Sequence, residues 1–452
     1  MITRVVLLLS VVLAVTGCAR RRLFDESIIH GSVAPGFEEM REVFIENFRE
    51  RNELGAAVCV FHRGVKVVDL WGGYRDAKTD DPWNEDTMVL VFSASKGVSA
   101  LVLAQANSRG YFDLDTPVAH YWPEFAQEDK QDITVRQLLA HQAGLSALDV
   151  RMSPERMADL DELAVTLARQ KPAWEPGVHH GYHAITLGWY ENELLRRVDP
   201  QHRSIGRVLQ EDVAAPLDIE MYIGLPDDVP SSRVANLDGY HPLEMLGHLD
   251  ELNAALFFAS AWPWSLSSRS LTYLEVGALA DIDDPEYRAV EFPSANCITS
   301  ARSLARLYSV FATGGEALDI STETFAELTA PPRVPTEGDY DLVMKQERAY
   351  SYGMFKPHPV FPFGTDHTAF GSAGAGGSHG YADPTRQIGY GYVMNRLGYD
   401  VIGDERDAAL RAALHRCLDR LDNRPADARS TSASATTGDR GRLPVSRNSV
   451  SP

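Results

Sequence analysis

The sequence predicts an α/β (α+β) protein: an antiparallel β-sheet built from both chain ends and flanked by helices, with an α-rich domain inserted between them. Three observations predict it. β-rich runs occur early, at residues 55–62 and 66–71, and return only late, at 350–355, 370–381 and 387–395. Between them the chain is punctuated by proline and carries helical stretches near 135–141, 154–169, 185–197 and 205–215. Helical patterns also bracket the whole, at 37–51 and 406–421. Strands from distant ends must pair with one another to bury their faces, which leaves the intervening helices as a separate layer.

Each element has its own justification. Phe37, Met40, Val43, Phe44 and Phe48 recur at the spacing of one helix face. Arg63-Gly64-Val65 separates two β-rich runs and signals a hairpin. An apolar run from Met88 to Phe92 leads into a helix over 95–108, which Gly110 ends. The implied organisation is a sheet domain over 34–110 and 290–423, an inserted domain over 111–289, and a cleft between them where a site is expected.

Composition narrows the class. In 452 residues, 44% hydrophobic and 23% charged, disorder along the whole chain is excluded. The 63 acidic against 43 basic residues give −20, a charge that repels phosphate backbones, so no nucleic-acid partner is expected. The single segment apolar enough to suggest a membrane is at the start: Arg4, then a run from Val5 to Val15, then Gly17-Cys18. It is shorter than the roughly 20 residues of a spanning helix and has the order of a secretory signal. Its end resembles the bacterial lipobox, which makes Cys18 a candidate for lipidation and the product an exported, membrane-tethered lipoprotein at the cell envelope. Arg20, Arg21 and Arg22 oppose export and keep a cytoplasmic protein as the alternative. Residues 1–18 are then the signal, 19–33 a linker, and 424–452, rich in Ser, Thr, Ala and Arg, a disordered tail. Cys59, Cys297 and Cys417 match no zinc or redox spacing, and no metal is implied; Cys59, in a strand-like run, reads as a small buried hydrophobe.

The chemistry-bearing feature is Ser93-Ala94-Ser95-Lys96 at a helix start. Residues three apart share a helix face, so the Lys96 amine can reach the Ser93 hydroxyl. The positive helix terminus favours negative charge developing there, and a lysine can serve as base once burial or nearby cations lower its pKa from about 10.4. On the residues alone the same motif also reads as an ordinary helix start, with Ser93 or Ser95 as N-cap and Lys96 in solvent.

In this position the motif resembles the serine β-lactamase and penicillin-binding-protein superfamily, above all its class C-like (family VIII-type) esterases. Supporting stretches follow in order: Asp113-Leu114-Asp115-Thr116-Pro117, residues 133–145, Trp174-Glu175-Pro176-Gly177, Tyr182-His183-Ala184, and residues 370–377. The similarity spans about residues 36–421. It implies a serine hydrolase that acts on esters or lipids without a cofactor. Ser93 is the nucleophile, Lys96 the base, and Tyr182 the group that passes a proton to the leaving group. The backbone N–H groups of Ser93 and Ala375 form the oxyanion hole. Taken alone, Tyr182 reads as a buried aromatic and the glycines around Ala375 as a plain loop.

The third motif departs from the family. Where relatives carry Lys-Thr-Gly or His-x-Gly, this chain has Ser372-Ala373-Gly374 on the expected cleft strand. Ser372 offers a neutral hydrogen bond in place of a charge-assisted one. The expectation is therefore uncharged short- to medium-chain esters. A β-lactamase or D-alanyl-D-alanine carboxypeptidase is the alternative, and an inactive tethered binder of cell-wall or lipid material the second. His379 reads as a turn residue or a substitute cation. Trp71-Gly72-Gly73 reads as the end of an early strand at a turn, His141 as a brace for a loop, and His179, His180 and His183 lack metal-ligand spacing. Asn296-Cys297 stands where relatives have Asn-Gly, which argues against a positive-φ turn there. Trp262, Trp264 and residues 254–261 read as an acyl-binding wall, a lid, or core.

Overall fold

The structure, a computed structural model, describes residues 25–239, 253–272, 274–276, 279–399 and 402–423. The signal segment with Cys18 and the tail from 424 lie outside the described residues. An eight-stranded antiparallel sheet has the order β1 (Ile29–Val33), β3 (Val65–Gly73), β2 (Gly55–His62), β11 (Ile388–Met394), β10 (His379–Asp383), β9 (Phe370–Ala373), β8 (Met354–Phe355), β7 (Tyr350–Ser351). The pairing of β2 with β11, for example Val58 opposite Tyr392, joins the two ends of the chain as the sequence predicts.

Side chains on β11 alternate in purpose, as the strand period of two requires. A Cβ on Gly389 or Gly391 would come within 2.3 Å or 2.5 Å of the backbone of the helix Ala301–Ala312, so this helix lies directly on the sheet. Tyr390 and Tyr392 point the other way and hand their hydroxyls to Asp407 and Glu53. The helices Glu38–Glu50 and Glu405–Asp422 pack on each other. With both faces covered, β2 is buried at every position but His62, which explains its unbroken apolar run.

Several expected boundaries differ. The segment expected to be a linker ends in β1, paired with β3 from Ile29 to Val33. Trp71-Gly72-Gly73 ends β3 as expected, with Gly73 at φ +81°. The expected extended run 370–381 is two strands folded on each other, because Gly376 and Gly377 take positive φ between them. Likewise 350–355 is a small hairpin turning at Tyr352 and Gly353. Helix 154–169 is two helices, the second capped by the Asp159 side chain on Glu162 N–H. A second sheet, β4 (Val89–Leu90), β6 (Cys297–Thr299), β5 (Met221–Ile223), has strands too short to show a sequence period.

Candidate active site

The second sheet holds the segment leading into Ser93. Val91 N–H donates to the Cys297 carbonyl, and the Cys297 N–H donates to the buried Ser95 hydroxyl, which itself donates to the Phe92 carbonyl. Between these ties Phe92 is held at φ +45°. That left-handed conformation is costly for a bulky residue and persists only because its surroundings over-determine it. It turns the chain sharply from β4 into the helix Ala94–Ser108 and places Ser93 at the N-cap, half-buried.

Lys96 is fully buried, and its Nζ is 3.0 Å from Ser93 Oγ, 2.9 Å from the Ser294 carbonyl and 2.5 Å from the Ala184 carbonyl. Burial pushes its pKa down to about 7. A neutral amine has two N–H bonds and one lone pair. Carbonyl oxygens can only accept, so they take both N–H groups and the lone pair is left facing the Ser93 hydroxyl. The reading of Lys96 as a solvated surface residue is thereby excluded.

Tyr182 stacks on Tyr350 and Phe355, and Lys96 Nζ lies 4.9 Å from its ring centre. Burial drives the phenol pKa upward, with the nearby Ser93 hydroxyl offsetting part of the rise, yet its Oη closes no hydrogen bond. The phenol is therefore neutral at pH 7, and Lys96 is the more readily deprotonated of the two. His141 and His183 brace this loop: His183 N–H donates to His141 Nδ1, and Leu145 N–H to His183 Nε2. Since that nitrogen accepts, His183 Nδ1 carries the proton and donates to the Gly181 carbonyl at 2.7 Å.

Ala375 follows β9 and is half-buried. Among the described residues neither its N–H nor that of Ser93 donates to another protein group. A cavity of about 340 Å³ opens onto Ser93, Tyr182 and Ala375. Its wall is apolar, with Leu271, Leu274, Val276, Ile282, Phe292 and Ile402 among its residues, and no lining side chain among the described residues is charged.

Three expectations change here. Ser372 is buried and donates its hydroxyl to the Ser93 carbonyl at 2.6 Å, so it steadies the Ser93 backbone and does not line the cavity. Gly374 also lies off the cavity; its missing Cβ would be 2.1 Å from the Val91 carbonyl, so it lets β9 approach the segment before Ser93. His379 is neither a turn residue nor a cleft cation: it sits on β10, buried, with Nδ1 3.0 Å from Asp407. Asp407 is held below the usual carboxylate range by Arg411 and His379, although burial works to raise it.

Other participants left little sequence signal. The Ala184 and Ser294 carbonyls act through backbone, which any residue supplies. Glu191, on the helix Thr186–Val198, is fully buried with neither oxygen hydrogen-bonded among the described residues, and burial raises its pKa to about 8 against the pull of Lys96. An acid in an otherwise apolar helix face was the available hint. Trp262 and Trp264 are 64% and 78% exposed and contribute to neither core nor cavity.

The fold and this arrangement define a serine hydrolase of the β-lactamase-like superfamily. The family model described as Beta-lactamase matches residues 42–415, and the chain belongs to that family. It is 33% identical to "Esterase/beta-lactamase LipL" of Mycobacterium tuberculosis, over 84% of each chain. Among solved structures it resembles a family VIII carboxylesterase, at 35% identity and a TM-score of 0.73, covering 86% of this chain and 99% of that one. It also resembles a penicillin-binding protein homolog from Caulobacter crescentus, at 36% identity and a TM-score of 0.72, with the same coverage.

Proposed function

We propose that the protein is a carboxylesterase that works through an acyl-enzyme on Ser93. Neutral Lys96 takes the Ser93 proton as Oγ attacks the ester carbonyl. The Ser93 and Ala375 N–H groups hold the oxyanion, commonly the largest contribution to acyl transfer. As the tetrahedral intermediate collapses, the Tyr182 phenol gives its proton to the departing alkoxide, which leaves as an alcohol. The phenol is refilled from the Lys96 ammonium. Water then attacks the acyl group, giving its proton back through Lys96 to Ser93, and a carboxylic acid departs.

The observation that carries this reading is the apolar cavity against Ser93, with no charged side chain in its wall among the described residues. It suits an acyl chain and offers nothing to a carboxylate. Hydrolysis of β-lactams is the second reading, favoured by the dual name of the Mycobacterium tuberculosis relative. Turnover of p-nitrophenyl butyrate and octanoate, with a chromogenic cephalosporin beside them, separates the two. Ester turnover should dominate and disappear in a folded Ser93→Ala variant; dominant cephalosporin cleavage would reverse the order. The N-terminus supports export and lipidation at Cys18. Labelling of the protein by palmitate in cells should vanish in Cys18→Ser, and equal labelling of the variant would refute it.

A further inference from the structure

Residues 253–272 form two helices, Ala254–Ala261 and Leu266–Leu271, which pack against each other. Their inner side is pinned to the body. Leu256 is buried, Asn253 Nδ2 donates to the Met344 carbonyl, Ser267 to the Val343 carbonyl, and Ser270 to Ser146. Their outer side presents Phe257, Phe258, Trp262 and Trp264, from 43% to 78% exposed. Trp262 and Trp264 meet edge to face, as do Phe257 and Phe258. Four large aromatic side chains in eight residues, all in water, are not the scattered apolar exposure ordinary for a protein surface.

The charge of the segment is as unusual as its shape. A chain with 63 acidic residues has none from 253 to 274, and its one cation there, Arg269, is paired with Asp149. The patch also runs into the site: Leu271 ends the second helix and lines the cavity beside Ser93, together with Leu279, itself 40% exposed. Tryptophan and phenylalanine on a segment free of acids suit the headgroup boundary of a lipid layer, where an amphipathic ring is stable half in and half out of hydrocarbon.

We propose that the outer face of residues 254–264 docks on a zwitterionic lipid layer, inserting Phe258, Trp262 and Trp264, and so brings the cavity mouth to ester lipids held in that layer. The purpose of the docking rests on the esterase reading; the docking itself is measurable without turnover. With a net charge of −20, the molecule gains nothing from anionic lipid, so apolar insertion supplies the attraction.

The test uses the full chain carrying Ser93→Ala and vesicles of dibrominated phosphatidylcholine, whose bromines quench tryptophan at the acyl boundary. Of the seven tryptophans, Trp83, Trp122 and Trp189 are buried and out of reach. Vesicles should quench the emission, and Trp262→Phe/Trp264→Phe should abolish most of that quenching while keeping the apolar face. Phe258→Asp/Trp264→Asp should lower vesicle partition about tenfold with soluble p-nitrophenyl butyrate turnover unchanged when Ser93 is present. Quenching retained in the phenylalanine variant, or no vesicle binding, overturns the proposal. So does a dimer in sedimentation that the aspartate variant dissociates, since the patch would then cover a second copy. Failure of soluble ester turnover in the wild type would instead remove the esterase reading and leave the docking result standing.

Discussion

At the residue scale the site turns on how many protons Lys96 holds. Its ammonium, with three donors and no lone pair, cannot accept from Ser93; the neutral amine can. With a pKa of about 7, activity should rise with pH through that value as Lys96 loses its proton. Glu191 in its negative form would raise the Lys96 pKa, but with its own pKa raised to about 8 it is mostly protonated while Lys96 titrates. Glu191→Gln should therefore leave the acid limb of kcat/KM close to where it is. The pH profile of the two proteins on a soluble ester checks it, and a limb moved to lower pH would show that Glu191 is ionised beside Lys96. None of this coupling was visible in the sequence. Ser93 and Lys96 were legible because they share one helix turn; Glu191 comes from another helix, and the Ala184 and Ser294 carbonyls have no side-chain signature.

At the element scale the decisive feature is the approach of β9 to the segment before Ser93. Ser372 and Gly374 are expected in the cleft; Ser372 lies on β9 and Gly374 just after it. Its contribution is to the geometry around Ser93: the Ser372 hydroxyl on the Ser93 carbonyl, and the bare Gly374 against Val91. Gly374→Ala puts a methyl 2.1 Å from the Val91 carbonyl, so the backbone must shift next to Phe92, already held at φ +45°. Ester turnover should fall on the order of 10²-fold, the cost of misplacing a reacting group by about 1 Å. Steady-state kinetics alongside a melting curve checks this; a variant with wild-type kcat would show that the approach is not needed. The sequence showed that these residues are small. Which backbone they approach depends on strands that lie nearly 280 positions from Ser93.

At the scale of the whole molecule, a buried ionic network ties both chain ends to the cavity. Arg406 on the last helix pairs with Glu53 at 3.0 Å and Asp404 at 2.7 Å, and donates to the carbonyl of the cavity-lining Gly376. Glu53 also accepts from Tyr392 on β11. Arg406→Met leaves a buried carboxylate unpaired, which costs about 3–5 kcal/mol, read as a lower urea midpoint with unchanged slope. Unchanged stability would mean that Glu53 finds its proton or another partner without loss.

By itself, the sequence determined the layers of this protein: β2 and β11 as apolar runs, the helices at either end, and Ser93 and Lys96 on one face of a helix. These follow from periodicity and from neighbours within one turn, which a linear pattern records. Only the tertiary structure decided the rest. It assigned Ser372 to the backbone of the nucleophile and His379 to the sheet core, folded residues 350–355 and 370–381 into hairpins, and left Trp262 and Trp264 in solvent. The Ser372 and His379 assignments depend on partners from other segments, the hairpins on which residues turn, and an amino-acid sequence lists residues without recording which segments meet.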